Sequence, residues 1–208
     1  MNINELSKKS HENAIEKGFY DCGECGGSGR IHNEDSHNFD KSTRCGNCMG
    51  TGIDQNKNIP ELLMLCITEI GEAVEALRCG RFADWEKYIK GIAYGELFEA
   101  YIKDTFEDEI ADVFIRLFDI AGYLEIEFIE NRRTEKLTGN ICEDLFETIE
   151  DIVKLKAFVK TNKKRIYFEY TICQLIEFCN YYKIDIEKHI TAKQAYNKTR
   201  PKKHGKEF

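Results

Sequence analysis

The sequence reads as an all-α bundle with a small metal-organised insertion near its N-terminus. Three observations say so. Apolar residues recur at helical spacing through most of the 208 residues. Only two prolines, Pro60 and Pro201, interrupt the chain, so long stretches are free to be helical. One stretch, residues 22–55, holds four cysteines in two pairs but almost no apolar side chains, so it cannot build a core of its own. Composition is otherwise that of an ordinary soluble protein, 42% hydrophobic and 32% charged, long enough for one core plus a small module. A net charge of -7 argues against a general nucleic-acid binder. No apolar run reaches membrane-spanning length, and MNINELSKKSHENAIEK is a polar amphipathic segment rather than a signal peptide. A cytoplasmic protein with no membrane partner is expected.

The elements follow in order. Residues 2–18 read as a helix closed by Gly18. After the coreless stretch, Asn58 or Ile59 caps a new helix with Pro60 in its first turn. Leu62, Leu63, Cys66, Ile70, Ala73, Val74 and Leu77 form its apolar stripe, and Gly80 ends it. Residues 82–103 look helical but are interrupted by glycines. From Thr105 to Tyr123 the stripe is Ile110, Val113, Phe114, Leu117, Phe118 and Ala121, with Ile115 and Ile120 elsewhere on the helix. Apolar nearly all round, this helix is expected to be buried on several sides, as in an oligomer. Two more helices are expected over 142–160 and 166–182.

A faint internal repeat runs through the helices. Residues 114–128 align with 172–186, and 65–77 with 143–155. Glu147 and Glu150 then fall under Glu69 and Glu72, while Tyr167 and Tyr170 stand where Glu109 and Asp112 do. A degenerate second copy over 131–183 would pack like the first without half of its acids. Helices of similar pattern also align by chance.

Nine cysteines divide into two groups. Cys66, Cys173 and Cys179 occupy apolar helical positions and read as inert core thiols; Cys79 and Cys142 are scattered singles. Cys22, Cys25, Cys45 and Cys48 form C-x-x-C, a spacer of nineteen residues, and C-x-x-C, the pattern of a four-cysteine zinc site. A redox pair is the alternative. His32 and His37 lie in the spacer but are not needed as ligands. A structural zinc contributes about 10–16 kcal/mol on binding, enough to fold a segment without a core. Both pairs extend to C-x-x-C-x-G-x-G, which resembles the repeat of the DnaJ cysteine-rich domain. That resemblance implies glycines wrapped closely round the metal. The module's role stays open between a structural element, a lid, an oligomer contact and a docking knuckle; its slightly acidic balance and lack of interleaved aromatics disfavour nucleic acid.

Glu69-x-x-Glu72 and Glu109-x-x-Asp112 lie inside the apolar runs LLMLCITEIGEAVEAL and FEDEIADVFIRLFDIAG. Spacing i, i+3 puts both acids of a pair on one side of a helix. Side by side, the helices would bring four carboxylates together, at about 4 kcal/mol per like-charge pair near 4 Å. Within three or four residues only Asp112 has a basic neighbour, Arg116. A hard divalent cation is the natural remedy, Mg2+ where phosphates are handled. Either motif alone would read as a solvated helix face.

These two motifs resemble those of the MazG-like all-α nucleoside triphosphate pyrophosphohydrolases. The tail Lys193-x-x-x-Asn197-x-x-Arg200, the stretch HENAIEKGFYD and the restart NIPELLML are similar to that family as well. The resemblance covers roughly residues 2–21, 56–130 and 184–208. It implies a MazG-like bundle formed by 1–21 with 56–208, interrupted by the zinc knuckle at 22–55. It also implies hydrolysis of a (d)NTP to (d)NMP and pyrophosphate. Glu69, Glu72, Glu109 and Asp112 would bind more than one Mg2+, one glutamate doubling as base. Lys193 and Arg200 would contact phosphates, Asn197 the sugar or base, and Phe19 and Tyr20 would stack on the base. A homodimer or tetramer is implied, unless the repeat makes the chain its own pseudo-dimer, in a bacterial cell or a phage-infected host. Two departures stand out: the 36-residue gap between the acidic motifs, 73–108, and the extension at about 131–183. The alternative is a non-catalytic zinc-bearing adaptor, binding protein or nucleic acid, on a decayed fold of this kind.

Overall fold

A computed structural model describes residues 1–32, 42–90, 94–129 and 134–205. His37 of the spacer and Lys206 of the tail lie outside them. Eight α-helices occur among the described residues: α1 Ile3–Glu16, α2 Ile59–Arg78, α3 Trp85–Lys90, α4 Tyr94–Tyr101, α5 Phe106–Tyr123, α6 Ile141–Phe158, α7 Lys164–Tyr181 and α8 Ile186–Thr199. The only described strands are β1 Arg30–His32 and β2 Ser42–Arg44. The protein is therefore all-α but for this ribbon. No described helix is long and apolar enough to cross a membrane.

Two compact units divide the chain. The larger joins Met1–His11 to Ile59–Thr199, and the smaller joins Glu12–Asn58 to Arg200–Phe208. The division falls within α1, so the smaller unit takes in more than the cysteine segment.

In the larger unit α5 is the central helix. It packs against α2, α7 and α8, while α6 lies against α2 and α7. Phe114, Leu117, Phe118, Ile110 and Ala121 of α5 are fully buried, against a core that includes Cys66, Ile70, Ile152, Leu175 and Ile190. The apolar surface that α5 shows on several sides is thus covered by this chain's own helices. Cys66 and Cys179 are buried core thiols as expected, and Cys173 is nearly so. Such burial pushes the Cys66 thiol up to about 12.

The first turns of α1 dock through polar groups rather than a wide apolar stripe. Ser7 Oγ donates to the Phe118 carbonyl at 3.0 Å, and Asn4 brackets the backbone of Phe128 through both side-chain atoms. On α8, Gln194 Nε2 donates to the Leu6 carbonyl and to Ser10 Oγ at 2.8 Å. His11 Nδ1 lies 2.8 Å from Asp119 of α5, so this histidine is paired rather than simply solvated. Close approach here depends on Gly122, where an added Cβ would fall 2.5 Å from His11 Cβ.

The stretch expected as one broken helix over 82–103 is two short helices, α3 and α4. They carry Tyr88 and Phe98, which with Ile102 just past α4 form a small apolar core. Phe98 stacks on Tyr196 of α8 at 4.5 Å, and Trp85 Nε1 donates to His189 Nε2 at 2.9 Å. Burial drives the His189 imidazole down to about 4, so it is neutral.

The helix pair α6/α7 follows α2/α5 in order and closely in length, but not in chemistry. Tyr167, aligned with Glu109, stacks on Phe158 at 3.4 Å. Tyr170, aligned with Asp112, is half-buried, and burial raises its phenol to about 12. At these two positions α7 brings rings where α5 brings carboxylates, while α6 keeps Glu147 and Glu150 at the places of Glu69 and Glu72.

Two glycines test this packing with opposite signs. Gly71 on α2 has open space where a Cβ would go, and Gly122 has none. Gly71→Ala should raise stability by up to about 1 kcal/mol through helix propensity. Gly122→Ala should lower it by about 1–3 kcal/mol through overpacking. Urea midpoints of the two variants check both signs.

Candidate metal centres

Among the described residues of the smaller unit, Cys22, Cys45 and Cys48 form the buried cluster, with Cys25 and Ile31 beside them. The four sulfurs converge, all within 4.8 Å of one another. Cys22 Sγ lies 3.9 Å from Cys45 Sγ, and Cys25 Sγ 3.7 Å from Cys48 Sγ. Those separations are far beyond a disulfide of about 2.05 Å. They match the edge of about 3.8 Å that four sulfurs take at about 2.3 Å from a tetrahedral zinc. This cluster is a four-thiol site fit for a metal such as zinc.

Backbone geometry explains the glycines. Gly29 N donates to Cys25 Sγ at 3.2 Å and Gly52 N to Cys48 Sγ at 3.3 Å. Both glycines have positive φ, +72° and +78°. A Cβ at Gly29 would strike the Gly50 carbonyl, and one at Gly52 the Gly27 carbonyl. The two knuckles face each other with matching contacts: Cys22 N donates to Gly52 O, and Cys45 N to Gly29 O. Between them β1 pairs antiparallel with β2, Arg30 opposite Arg44. Sequence reading missed this ribbon, because three-residue strands carry no apolar alternation to detect. Burial opposes ionisation of Cys48, yet the N–H groups of Gly52 and Gly50 and the neighbouring thiols draw it down to about 6. A thiolate is the form that binds metal.

In the larger unit α2 and α5 lie side by side, and carboxylates of Glu69, Glu72 and Glu109 converge within 4.8 Å. Glu69 and Glu109 are each only 4% exposed, while Glu72 faces solvent. The Glu109 carboxylate has no hydrogen bond or ion pair among the described residues. Burial first, and Asp112 second, raise it to about 9. Glu69 is raised by burial too, with Asp112 and Glu72 adding to the effect and Arg116 opposing it.

Asp112, the fourth expected member, stands apart from this trio. Its Oδ2 is 2.8 Å from Lys193 Nζ, which lies 2.6 Å from Asp108 Oδ2. Arg116, one turn beyond Asp112, reaches across to Glu69 instead, with Nε 2.6 Å from Oε1. The acids therefore have two cationic neighbours, of which local spacing showed one beside the wrong acid and missed Lys193. Asp108, fully buried, is a fifth carboxylate that sequence reading passed over. Its signal was the run Glu107-Asp108-Glu109 in the first turn of α5, where the helix dipole favours acids. Burial raises Asp108 to about 7, and one of its oxygens, Oδ1, has no partner.

The expected substrate residues are spread over both units. Lys193 is 4% exposed and held between two aspartates; burial alone would lower its ammonium, but Asp112 and Asp108 keep it charged. Asn197, one turn further on α8, is buried with Oδ1 unpartnered. Phe19, Tyr20 and Arg200 belong to the smaller unit. Tyr20 is only 2% exposed, with Lys57 Nζ 5.2 Å from its ring centre, so it has no open face for a base; Phe19 is half-buried. Lys17 Nζ donates to the Arg200 carbonyl, and Lys202, itself exposed, pairs with Asp21.

Compared with known proteins, the chain matches no family model, no curated protein and no solved structure.

Two outcomes follow from these geometries. Elemental analysis should find one zinc per chain, and Cys22→Ser with Cys48→Ser should abolish it. Chelation should then open the smaller unit to trypsin at Arg30 and Arg44. Protonation at the acidic trio gives the second outcome. Glu109 is raised to about 9, above its ordinary 4.5, so its own contribution to metal-free stability is full below pH 4.5 and is lost as pH rises through 9. A bound divalent ion must displace that proton, so Mn2+ affinity should climb by up to about tenfold per pH unit from 7 to 9. Calorimetric titrations of wild type and Glu109→Gln check the slope, which the variant should lose.

Proposed function

We propose that this protein is a Mg2+-dependent nucleotide pyrophosphohydrolase on a MazG-like bundle, converting a (d)NTP to (d)NMP and pyrophosphate, with the four-thiol zinc site in a structural role. One observation carries the proposal. Glu109 is a nearly buried carboxylate with no hydrogen bond or ion pair among the described residues, grouped with two further carboxylates on the facing helix. A structural acid would be hydrogen-bonded or replaced by an apolar residue, since burying it uncompensated is costly. Three oxygen donors from rigid helices suit a hard divalent cation and not a soft one.

The residues take distinct parts. Glu69, Glu72 and Glu109 would hold Mg2+, which when bound acidifies water and screens phosphate charge. Glu72, the exposed member, is the carboxylate that water and a phosphate can reach, and so the best candidate for base. Asp112 is held by Lys193, which fixes that ammonium at the edge of the acidic centre. From there Lys193 would reach a phosphate by exchanging one aspartate contact. Unpartnered and buried one turn away, Asn197 Oδ1 is an acceptor for a sugar or base donor. The aromatic helices α3 and α4 fill the long gap between the motifs and flank the same α8 face through Phe98 and Tyr196.

Pyrophosphate release from the eight common NTPs and dNTPs tests the proposal. Mg2+ should be omitted rather than chelated, because a chelator would also strip the thiol site. Glu109→Gln and Asp112→Asn should each lower turnover by about 100-fold or more, several kcal/mol of lost stabilisation. Glu109→Gln should meanwhile leave metal-free stability at pH 8 little changed, because the carboxyl it replaces is itself largely protonated there. No release from any nucleotide by folded, zinc-loaded wild type would overturn the enzyme and leave the adaptor reading.

A further inference from the structure

Arg116 makes two contacts with Glu69, through Nε at 2.6 Å and through Nη2. Both fall on the same oxygen, Oε1. The other oxygen, Oε2, has no hydrogen bond among the described residues and is the one left for a cation. On the far side of the centre, Lys193 already occupies Asp108 Oδ2 and Asp112 Oδ2. Two protein cations therefore occupy positions on the carboxylate array that metal ions would otherwise take.

We infer that Arg116 limits the acidic centre to one protein-held divalent cation, a second entering only with the phosphates of a bound nucleotide. This rests on the metal-dependent reading proposed above, and it replaces the expectation of several resident ions. The charges fit it. Glu69, Glu72 and Glu109 carry three negative charges when ionised, and Arg116 returns one, leaving the charge that a single divalent ion matches. Asp108 and Asp112 share Lys193 and can serve a metal fully only if that ion pair separates. Glu69 Oε1 is already engaged twice by the Arg116 guanidinium, so only Oε2 is offered to an ion without competition. A nucleoside triphosphate brings several negative charges, which would make room for a second ion between the trio and the phosphates. Arg116 acts here as a positioning residue: it touches no reacting atom but sets how Glu69 presents itself.

Manganese binding to the full-length, zinc-loaded protein tests this without any turnover. Free Mn2+ is read by electron paramagnetic resonance during titration at pH 8, in the absence of nucleotide. Wild type should take up one Mn2+ per chain, and two when a non-hydrolysable triphosphate analogue is added. Arg116→Met, which frees Glu69 Oε1 and removes the positive charge, should take up two without nucleotide. Arg116→Lys should restore one. Helical circular dichroism verifies that the variants fold, and Arg116→Gln serves if the methionine variant does not. Two ions in nucleotide-free wild type, or one in a folded neutral variant, would overturn the inference while leaving the metal centre intact. No uptake by wild type would overturn the metal centre itself.

Discussion

Like charge held out of water between α2 and α5 is the constraint around which the larger unit is arranged. These two helices present Glu69, Glu72, Asp108, Glu109 and Asp112 to one region, and four of the five sit on α5 or face it from within the fold. Apolar packing holds the helices together regardless: Cys66, Ile70 and Ala73 of α2 and Ile110, Val113 and Phe114 of α5 are fully or almost fully buried. The core thus forces the acids into proximity, and the acids must be compensated. Lys193 compensates Asp108 and Asp112, and Arg116 compensates Glu69. Glu109 is left over. Burial first, and the Asp112 carboxylate second, push its pKa up.

The smaller unit solves the opposite problem. It has too little apolar surface to fold by burial, so sulfur replaces hydrocarbon. Four converging thiols, two N–H···S contacts from glycines at positive φ, and a three-pair ribbon organise its cysteine segment. Each knuckle supplies the backbone carbonyl against which the other's glycine is packed. That reciprocity explains why C-x-x-C-x-G-x-G occurs twice: one copy would provide neither four ligands nor the opposing wall.

Polar contacts also do structural work where the helices need register more than area. Ser7, Asn4 and Gln194 tie α1 to the backbone of neighbouring segments, and Gly122 lets α1 and α5 approach at His11. Ser7 and Gln194 are buried where they make these contacts, while Asn4 makes its pair from the exposed side of α1. Along the inner face of α8, His189 accepts from Trp85, Lys193 bridges two aspartates, and Asn197 keeps an open acceptor. Four-residue spacing lines them up over the aromatic helices and the acidic centre.

By itself the sequence determined the all-α class, most helix positions to within a few residues, the core thiols and the four zinc-type ligands. These rest on local periodicity and on a spacing motif, both of which a chain carries without knowing its fold. Sequence also singled out Glu69, Glu72 and Glu109 as groups that would meet. Tertiary structure alone decided which charges neutralise which. Arg116 is four residues from Asp112 yet turns to Glu69, since Lys193, eighty-one residues further along, already holds Asp112. It also decided that Asp108 is buried, that Tyr20 is closed, that the ribbon exists, and how the rings of α7 pack where α5 brings acids. Pairing across helices depends on distance in space, and helical spacing along one segment contains no information about which residue of another segment will arrive beside it.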